Sequence, residues 1–507
     1  MKILSVDKIR EADLFTIQNE PITSIDLMER AANACFYWLI TNIPDHKQIK
    51  VICGTGNNGG DGMAIARLMA LKGYSVEVFL SGTPDKLSPD CRINYDRLLE
   101  MTSVGCTVLA ENGSLPDFHP TDDIVIDALF GSGLSRPVTG YLADVIRQVN
   151  DQHSITISID VPSGLFCDET VATSSDPVIV HADHTLTFSP PKLAFFFPEN
   201  DRFVGNWHLL DIGIMQEFIE RTETRNNYIG HSDCKKILRK RNKFSHKGTF
   251  GHAYLVCGSK GKMGAAVLSA KACLRSGPGL VTIHIPQSGN TILQTAVPEA
   301  MLSLDADEDI FSGLPDLSAY SSIAIGPGIG QAVGTSRALK LMMQNSTIPL
   351  IVDADAINIL GENKTWIPFI PKDSIFTPHP KEFERLAGKS SNDFDRNKLQ
   401  REFSIKHSAY VVLKGAHTAI TTPEGNCYFN TTGNPGMATG GSGDVLTGIL
   451  AGIKAQGYSS LETCLLGVYI HGLAGDIAAT EFGQEALIAG DIIKYLGNSF
   501  LSLYGER

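Results

Sequence analysis

From Ile49 onward, short apolar runs alternate with glycine-rich turns and stretches of helical period. IKVIC, YSVEVFL, DDIVIDALF and SITISIDVP are β-rich runs of strand length, with helix-period segments such as MAIARLMALKG between them. Such alternation predicts a parallel sheet with helices on both faces, because parallel strands need crossover connections. The stretch QEFIERTETRNNYIGHSDCKKILRKRNKFSHKG interrupts the scheme. It is rich in charge and poor in buried strand pattern, so a domain boundary is expected near Arg221 to Tyr228. A second α/β series follows in HAYLVCGS, GLVTIHIP, SIAIGPGIG, PLIVDADA, DSIFTPHP and YVVLKGAHTAI, then two glycine-containing helical segments. Two α/β domains are therefore expected, over residues 1–222 and 223–507, with no internal repeat between them.

The length agrees, since 507 residues exceed what one hydrophobic core serves. A formal charge of −12, from 55 acidic and 43 basic residues, gives no footprint for a nucleic-acid backbone or an anionic membrane. A small-molecule partner is the expectation. The opening MKILSVDKIREAD lacks the apolar core of a signal peptide. No run approaches a membrane span, since even LETCLLGVYIHGLAGDIAA carries Glu462, His471 and Asp476. Ten cysteines lie scattered from Cys35 to Cys464 without a CxxC pair, which fits reduced, mostly buried thiols. The chain should be cytoplasmic, with no membrane and no nucleic acid among its partners.

In the first half, GTGNNGGDG at Gly54 to Gly62 follows a strand, opens a helix and formally satisfies the GxGxxG fingerprint. A dinucleotide-oxidoreductase site should also end its second strand in an acidic residue. YSVEVFL instead ends in Ser81 and Gly82, with Glu77 in mid-strand. Asp61 would also set a negative charge where a pyrophosphate should meet the helix N-terminus. The alternative is that Asn57, Asn58 and Asp61 are themselves binding groups, on a loop that glycines hold tight against the ligand. Asp127 closes the run before GSGLSRP, and Asp160 closes the next before Ser163, so both carboxylates fall at carboxyl ends of parallel strands. Open sheets bind ligands there. Oxygens of Asn58, Asp127 and Ser163 would suit a hard cation. Any one of these residues alone reads as a helix cap or turn residue, whereas the three strand-end loops together point to a site.

GNNGGDG, DALFGSGL, SIDVPSGL and SPPKLAFF together resemble the NAD(P)H-hydrate epimerase domain over about residues 1–214. The resemblance implies a Rossmann-like three-layer α/β/α domain. It implies that Asn57, Asn58, Gly59, Gly60 and Asp61, with Gly131, Ser132, Gly133, Leu134, Ser135, Arg136, Pro137 and Asp160, bind the hydrated nicotinamide nucleotide. Asn58, Asp127 and Ser163 would hold potassium. Epimerisation at a carbon bearing both hydroxyl and ring nitrogen needs reversible loss and return of the hydroxyl, or ring opening, with acid–base help. Asp160 is the candidate for that work. Lys192 ranks below it, as a single loop lysine is usually solvated.

TTGNPGMATGGSGDVLTGILAG, at Thr431 to Gly452, is the most informative segment of the second half. Its glycines expose successive backbone N–H groups at the start of a helix, forming an anion cradle for phosphates. Asp444 falls in the first helical turn, aimed at the same pocket. A carboxylate beside an anion cradle is what phosphoryl transfer to a hydroxyl needs. The plainer reading, an acidic first turn capped by Ser442, does not require Gly436, Gly440, Gly441 and Gly443 together. No Walker A sequence occurs. KGAHT at Lys414 to Thr418 could meet phosphates, although a hairpin lysine is more often structural. His379 sits between two prolines in TPHPKEFERL, as either a site residue or a satisfied turn histidine.

This half resembles the ribokinase-like fold. More narrowly, GSKGKMGAAVLSAKACLRSGPGLVT, GPGIG, VDADAINIL, TPHPKEF, KGAHT and NPGMATGGSGDVLTG are together similar to the NAD(P)H-hydrate dehydratase family over about residues 225–507. By that resemblance Ala265, Gly328, His379 and Asp444 meet the hydrated substrate, and Lys414, Gly415, Ala416, His417, Thr418 and Gly443 meet ADP or ATP. Magnesium would accompany the nucleotide. Lys260 and Lys262 depart from the smaller or more neutral residues expected in the first motif. The implied partners are the hydrates NADHX and NADPHX with ADP or ATP, in a homo-oligomer. The epimerase domain interconverts the R and S hydrates, and the dehydratase restores the S form at a nucleotide's expense. Asp444 would deprotonate the hydroxyl as it attacks the terminal phosphoryl, after which phosphate leaves. The alternatives are a ribokinase-like kinase for a vitamin precursor with an accessory first domain, and a first domain kept only for binding.

Overall fold

The structure is a computed structural model that describes residues 1–109, 118–119, 121–170 and 177–505. It divides into two compact units, Lys2–Thr224 and Arg225–Arg507 together with Met1.

The first unit carries strands β1 (Gln48–Cys53), β2 (Ser75–Ser81), β3 (Gly105–Leu109), β4 (Asp123–Ala128), β5 (Ile155–Ile159), β6 (His184–Phe188) and β7 (Asn206–Leu210). They form one sheet in the order β3-β2-β1-β4-β5-β6-β7, every pairing parallel. Its helices are α1 (Val6–Asn19), α2 (Ser24–Asn42), α3 (Asn57–Leu71), α4 (Pro89–Leu99), α5 (Tyr141–Asp151), α6 (Asp201–Val204) and α7 (Gln216–Arg221). Successive side chains of a strand point to opposite faces, so each buried strand feeds two cores. Val51, Val78 and Ile126 pack with Met63 of α3, while Ile52, Phe79 and Val125 pack with Ile146 of α5. That gives the expected three layers. The strand order reverses direction between β1 and β4, which opens a crevice at their carboxyl ends.

The second unit contains β8 (Asn226–Ile229), β9 (His252–Val256), β10 (Leu280–Ile285), β11 (Met301–Leu304), β12 (Ser322–Ile325), β13 (Leu350–Val352), β14 (Ile375–Phe376), β15 (Tyr410–Leu413), β16 (Ala419–Thr421) and β17 (Cys427–Asn430). Their order is β11-β10-β9-β12-β13-β14-β15-β16-β17-β8, antiparallel only at β15-β16 and β16-β17. The helices are α8 (His231–Ile237), α9 (Met263–Arg275), α10 (Asn290–Ala296), α11 (Val333–Asn345), α12 (Ala354–Glu362), α13 (Pro380–Ala387), α14 (Asp393–His407), α15 (Ser442–Ala455), α16 (Ser460–Phe482) and α17 (Ala489–Tyr504). Leu255 and Ile283 pack with Ile449 and Leu450 on one face, and Tyr254, Val256 and Ile323 with Ile357 and Leu360 on the other. On α15, Gly448 and Gly452 meet α9 directly. A Cβ would lie 2.2 Å from the Ser269 carbonyl oxygen at Gly448 and 2.7 Å from that of Cys273 at Gly452. Only glycine allows so close a crossing.

The polar stretch around Arg221 to Tyr228 is, as expected, poor in buried strand pattern: β8 forms there and pairs with β17 at the edge of the second sheet. Only Ile229 of that strand is buried, so it lacks a buried alternation to read. Against expectation, the chain does have a run of membrane-spanning length. α16 is 23 residues long and apolar enough by composition, despite Glu462, His471 and Asp476. Of its most apolar window, 67% is buried, and it packs on α15 and α17 as a core helix.

Candidate functional site

Every candidate residue of the first unit falls at the carboxyl end of its sheet. Asn57, Asn58, Gly59, Gly60 and Asp61 do not lie on a loop as expected. They form the first turns of α3, whose N-cap is Gly56. The helix starts this early because the turn from β1 closes within Gly54 to Gly56. Close packing then demands glycine: a Cβ at Gly59 would lie 1.9 Å from the Gly54 carbonyl oxygen, and one at Gly62 2.5 Å from Ala128 Cβ. Asn57 is exposed and accepts from Ser88 Oγ at 2.6 Å. Asp61 is buried, and burial, then Asp160 and Asp13, push its carboxyl well above the usual range.

Asn58, Asp127 and Ser163 come together around Phe130. Asn58 Nδ2 donates to the Phe130 carbonyl at 2.9 Å, and the Phe130 N–H donates to Ser163 Oγ at 2.9 Å. Asp127 accepts from Ser163 Oγ, from Ser163 N at 2.9 Å and from Ser158 Oγ at 2.8 Å. Burial still holds its carboxyl above the usual range, against those hydrogen bonds. Asn58 Oδ1 is buried and has no hydrogen-bond partner among the described residues. Gly131, which opens the Gly131–Pro137 segment, lies beside the Asn58 side chain.

Asp160 has φ +64°, a left-handed conformation that costs a non-glycine residue roughly 1–3 kcal/mol. Its carboxylate pairs with Lys192, whose ammonium also donates to Thr187 Oγ1 and the Phe188 carbonyl, both at 3.0 Å. Lys192 is therefore no solvated loop lysine. It is 1% exposed, and the sequence reading that ranked it low is corrected. A buried ammonium is tolerated because all three of its donors are satisfied.

In the second unit, α15 starts at Ser442 behind Gly441, which has φ +92°. Asp444 lies in its first turn, with its carboxyl pushed up to about 6 by burial, then by Asp353, against the lowering effect of Lys414. Lys414 follows β15 and pairs with Asp353 at 2.9 Å, with Glu382 at 3.9 Å. Burial pulls its ammonium downward, but Asp353 and Glu382 outweigh that and raise it. Thr447 Oγ1 donates to the other Asp353 oxygen at 2.7 Å. A cavity of about 630 Å³ opens here, lined among others by His379, Lys414, Gly415, Ala416, Thr418 and Gly443. That volume suits a nucleotide-sized ligand. His417 does not line it; its Nδ1 lies 3.1 Å from the Asn430 carbonyl oxygen.

Ala265, Gly328 and Asp444 lie outside that cavity's lining. Ala265 and Gly328 adjoin each other, a Cβ on Gly328 falling 3.0 Å from Ala265 Cβ. They sit where the order reverses between β9 and β12. One turn along α9 from Ala265, Ser269 Oγ donates to the Asp444 carbonyl at 2.9 Å. Asp444 follows the cavity residue Gly443 and meets α9 through its own carbonyl, in the fields of Asp353, Lys414 and Asp355. Lys262 is tied to Asp355 at 3.2 Å, and Asp355 also accepts from Gly330 N at 2.9 Å, so the lysine that departs from the expected motif braces its loop. His379 is both a cavity residue and a cap: Nδ1 accepts from Lys381 N at 3.1 Å.

The comparisons follow the same two units. A family model described as NAD(P)H-hydrate dehydratase matches residues 253–498, and one described as YjeF-related protein N-terminus matches residues 24–194. The bifunctional NAD(P)H-hydrate repair enzyme of Moorella thermoacetica is 34% identical over 98% of this chain and 96% of its own. The chain belongs to the bifunctional NAD(P)H-hydrate repair enzymes. The enzyme of that name from Thermofilum pendens is 35% identical, over 99% of this chain and 97% of its own. A solved structure titled ADP/ATP-dependent NAD(P)H-hydrate dehydratase from Bacillus subtilis, co-crystallised with ATP and Mg2+, is 29% identical. It covers 55% of this chain and 98% of its own, with a TM-score of 0.49. Membership bears out the resemblance of both halves and sets aside the vitamin-precursor kinase with an accessory domain. The family pairs an epimerase with a nucleotide-dependent dehydratase.

Several residues that shape the sites escaped the sequence reading. Asp353 holds Lys414 and accepts from Thr447 Oγ1, and Asp476 of α16 accepts from Gly433 N and Asn434 Nδ2, both at 2.9 Å, shaping the loop before α15. His471 lines the cavity with its ring pushed down to about 4 by burial. Asp353 ends a strand run, a usable signal; Asp476 and His471 sit in mid-helix, where nothing local marks them.

Proposed function

We propose that the crevice between β1 and β4 epimerises hydrated NAD(P)H, and that the N-terminus of α15 dehydrates the S hydrate at the expense of ADP or ATP. The observation that supports the second assignment is Asp444, which follows the residue Gly443 of a nucleotide-sized cavity and is joined through its carbonyl to α9, the helix that carries Ala265. Hydration leaves a hydroxyl on the carbon next to the ring nitrogen, and hydroxide is a poor leaving group. With a carboxyl near 6, Asp444 is ionised at neutral pH and accepts the hydroxyl proton as the oxygen attacks the terminal phosphoryl. Lys414 and the N–H groups opening α15 stabilise charge on that phosphoryl. Phosphate then departs, pushed by the ring-nitrogen lone pair, and loss of the C5 proton restores the double bond. The products are NAD(P)H, phosphate and AMP from ADP, or ADP from ATP. Ala265, Gly328 and His379 border the hydrate; Gly415, Ala416, Thr418 and Gly443 border the nucleotide.

Among the described residues no group of three His, Cys, Asp or Glu side chains offers a metal cage. That fits magnesium arriving on the nucleotide's phosphates and keeping its waters. When bound, it neutralises phosphate charge.

In the first unit, Asn57 to Asp61 and Gly131 to Pro137 border the hydrate, and Asp160 with Lys192 provides acid–base chemistry. Potassium fits Asn58, Asp127 and Ser163, because Asn58 Oδ1 is a buried acceptor without a protein donor and Asp127 is a desolvated carboxyl. The ion would supply positive charge there. The ten free cysteines, nine of them buried, suit a cytoplasmic enzyme.

The test offers each epimer with ADP, ATP or neither and follows recovery of the absorbance of intact reduced cofactor. Recovery should require a nucleotide, and interconversion of epimers should not. Accumulation of a stable phosphorylated product would overturn the dehydratase assignment.

A further inference from the structure

The crevice between β1 and β4 holds many carboxyls and few cations free to meet a ligand. Asp61, Asp127 and Asp160 are all buried there, and the Lys192 ammonium has its donors committed to Asp160, Thr187 and Phe188. A hydrated nicotinamide dinucleotide brings a diphosphate, whose charge has to be met when water is displaced from it.

Helix α1 supplies a cation at that place. A Cβ placed on Gly133 would lie 2.5 Å from Arg10 Nη2, so the Arg10 guanidinium rests against the middle of the Gly131–Pro137 segment. The helix lies before the residues that the family model of this unit matches, which begin at position 24. It is nevertheless firmly held. Val6 N donates to Asp168 Oδ2 at 2.8 Å, Thr16 Oγ1 accepts from Met215 N at 3.1 Å, and the rings of Phe15 and Phe218 lie 5.5 Å apart. Arg10 itself is loosely engaged. Its ion pair with Asp7 spans 3.5 Å with both side chains more than half exposed, and such pairs contribute little. The guanidinium fork therefore keeps donors for another anion. Arg136, on the same segment, is exposed as well.

We propose that Arg10 is a further substrate-binding residue of the epimerase site, holding the diphosphate of the hydrated dinucleotide beside Gly133. The absence of a side chain at Gly133 is what lets the guanidinium come so close to the backbone, since a methyl group there would push it aside. A planar fork of N–H donors matches phosphate oxygens, and it fixes the non-reacting part of the substrate. Contacts of that kind lower KM and leave kcat alone, because they are as strong before the reaction as during it.

This rests on the crevice between β1 and β4 being the epimerase centre. Epimerisation of NADHX is measured in the full-length chain without nucleotide, which keeps dehydration silent, for Arg10→Ala and Asp160→Asn side by side. Arg10→Ala should raise KM about 10- to 100-fold, as loss of a charge-assisted hydrogen-bonding group does. An almost unchanged kcat shows at the same time that the unit is folded. Inorganic pyrophosphate should inhibit the wild type competitively and the variant about 10-fold more weakly or less. Reduced nicotinamide riboside, which has no phosphate, should inhibit both alike. Gly133→Ala should raise KM in the same direction and add little on top of Arg10→Ala, since both changes act on one contact. An unchanged KM in Arg10→Ala, with epimerisation lost in Asp160→Asn, overturns the role of Arg10 alone. Equal weakening of pyrophosphate and riboside also overturns it, because the effect is then not on phosphate. Full epimerisation by Asp160→Asn overturns the placement of the centre instead.

Discussion

Replacing Asp444 by asparagine should inactivate the dehydratase and stabilise it. Its carboxyl titrates at about 6 in the fold against a usual 3.8, chiefly because it is buried. Each pH unit of that displacement is worth about 1.4 kcal/mol, so the ionised form costs the folded state about 3 kcal/mol. The sign follows from proton binding. The folded chain holds this proton more tightly than the unfolded one, so its contribution to stability is full below about pH 4 and is lost as pH rises through about 6. Asparagine keeps the shape without the charge. The variant should therefore gain up to about 3 kcal/mol at neutral pH and nothing near pH 4. Calorimetry of the full-length chain reads this directly, because the dehydratase unit is the transition whose midpoint nucleotide raises. At neutral pH that midpoint should rise by several degrees, while dehydration of the S hydrate falls about 10²- to 10⁴-fold. Epimerisation should be unchanged. A variant that dehydrates normally would remove Asp444 from the chemistry. A stability gain that persists unchanged at pH 4 would refute burial of its charge as the cause.

Asp127→Ala should weaken epimerisation and abolish its dependence on potassium, measured as rate against potassium concentration; normal epimerisation at every concentration rules out the cation site. Gly448→Ala places a methyl group 2.2 Å from the Ser269 carbonyl oxygen, so α15 must part from α9. A loss of about 1–3 kcal/mol is expected, read as a lower nucleotide-sensitive midpoint, and an unchanged midpoint speaks against the close crossing. Residues 1–224 and 225–507, expressed separately, should divide the reactions. The first should epimerise without nucleotide, and the second should repair a racemic hydrate to about half and then stall. Equal consumption of both epimers by the second fragment contradicts the division of labour.

The parallel strands and the glycine-rich site loops were legible because buried strands leave continuous apolar runs and tight turns leave glycines. Asp127, Asp160 and Asp444 could be placed from the same pattern, each closing a run or opening a helix. β8 was not legible, since an edge strand with one buried residue leaves no alternation. Lys192 was misjudged because its burial depends on Asp160, 32 residues earlier, and on the fold of the β6 end. α16 misleads in the other direction, as its interspersed polar residues argue against a long apolar helix, yet 67% of its most apolar window is buried in the core.

The contact of α15 with α9 through Gly448 and Gly452 has a mechanical consequence. Ala265 rides on the first turn of α9 and Asp444 on the first turn of α15, and a backbone-to-backbone clamp leaves those two platforms no slack. If Ala265 seats the hydrate and Asp444 takes its proton, as proposed, the gap between them is preset before any ligand arrives. Closure over the proposed site would then have to come from the other bank, which carries the Lys414–Thr418 turn and the Thr431–Met437 loop. Those two segments carry side-chain hydrogen bonds with Asp353, Thr418 and Asp476 beside their backbone ones.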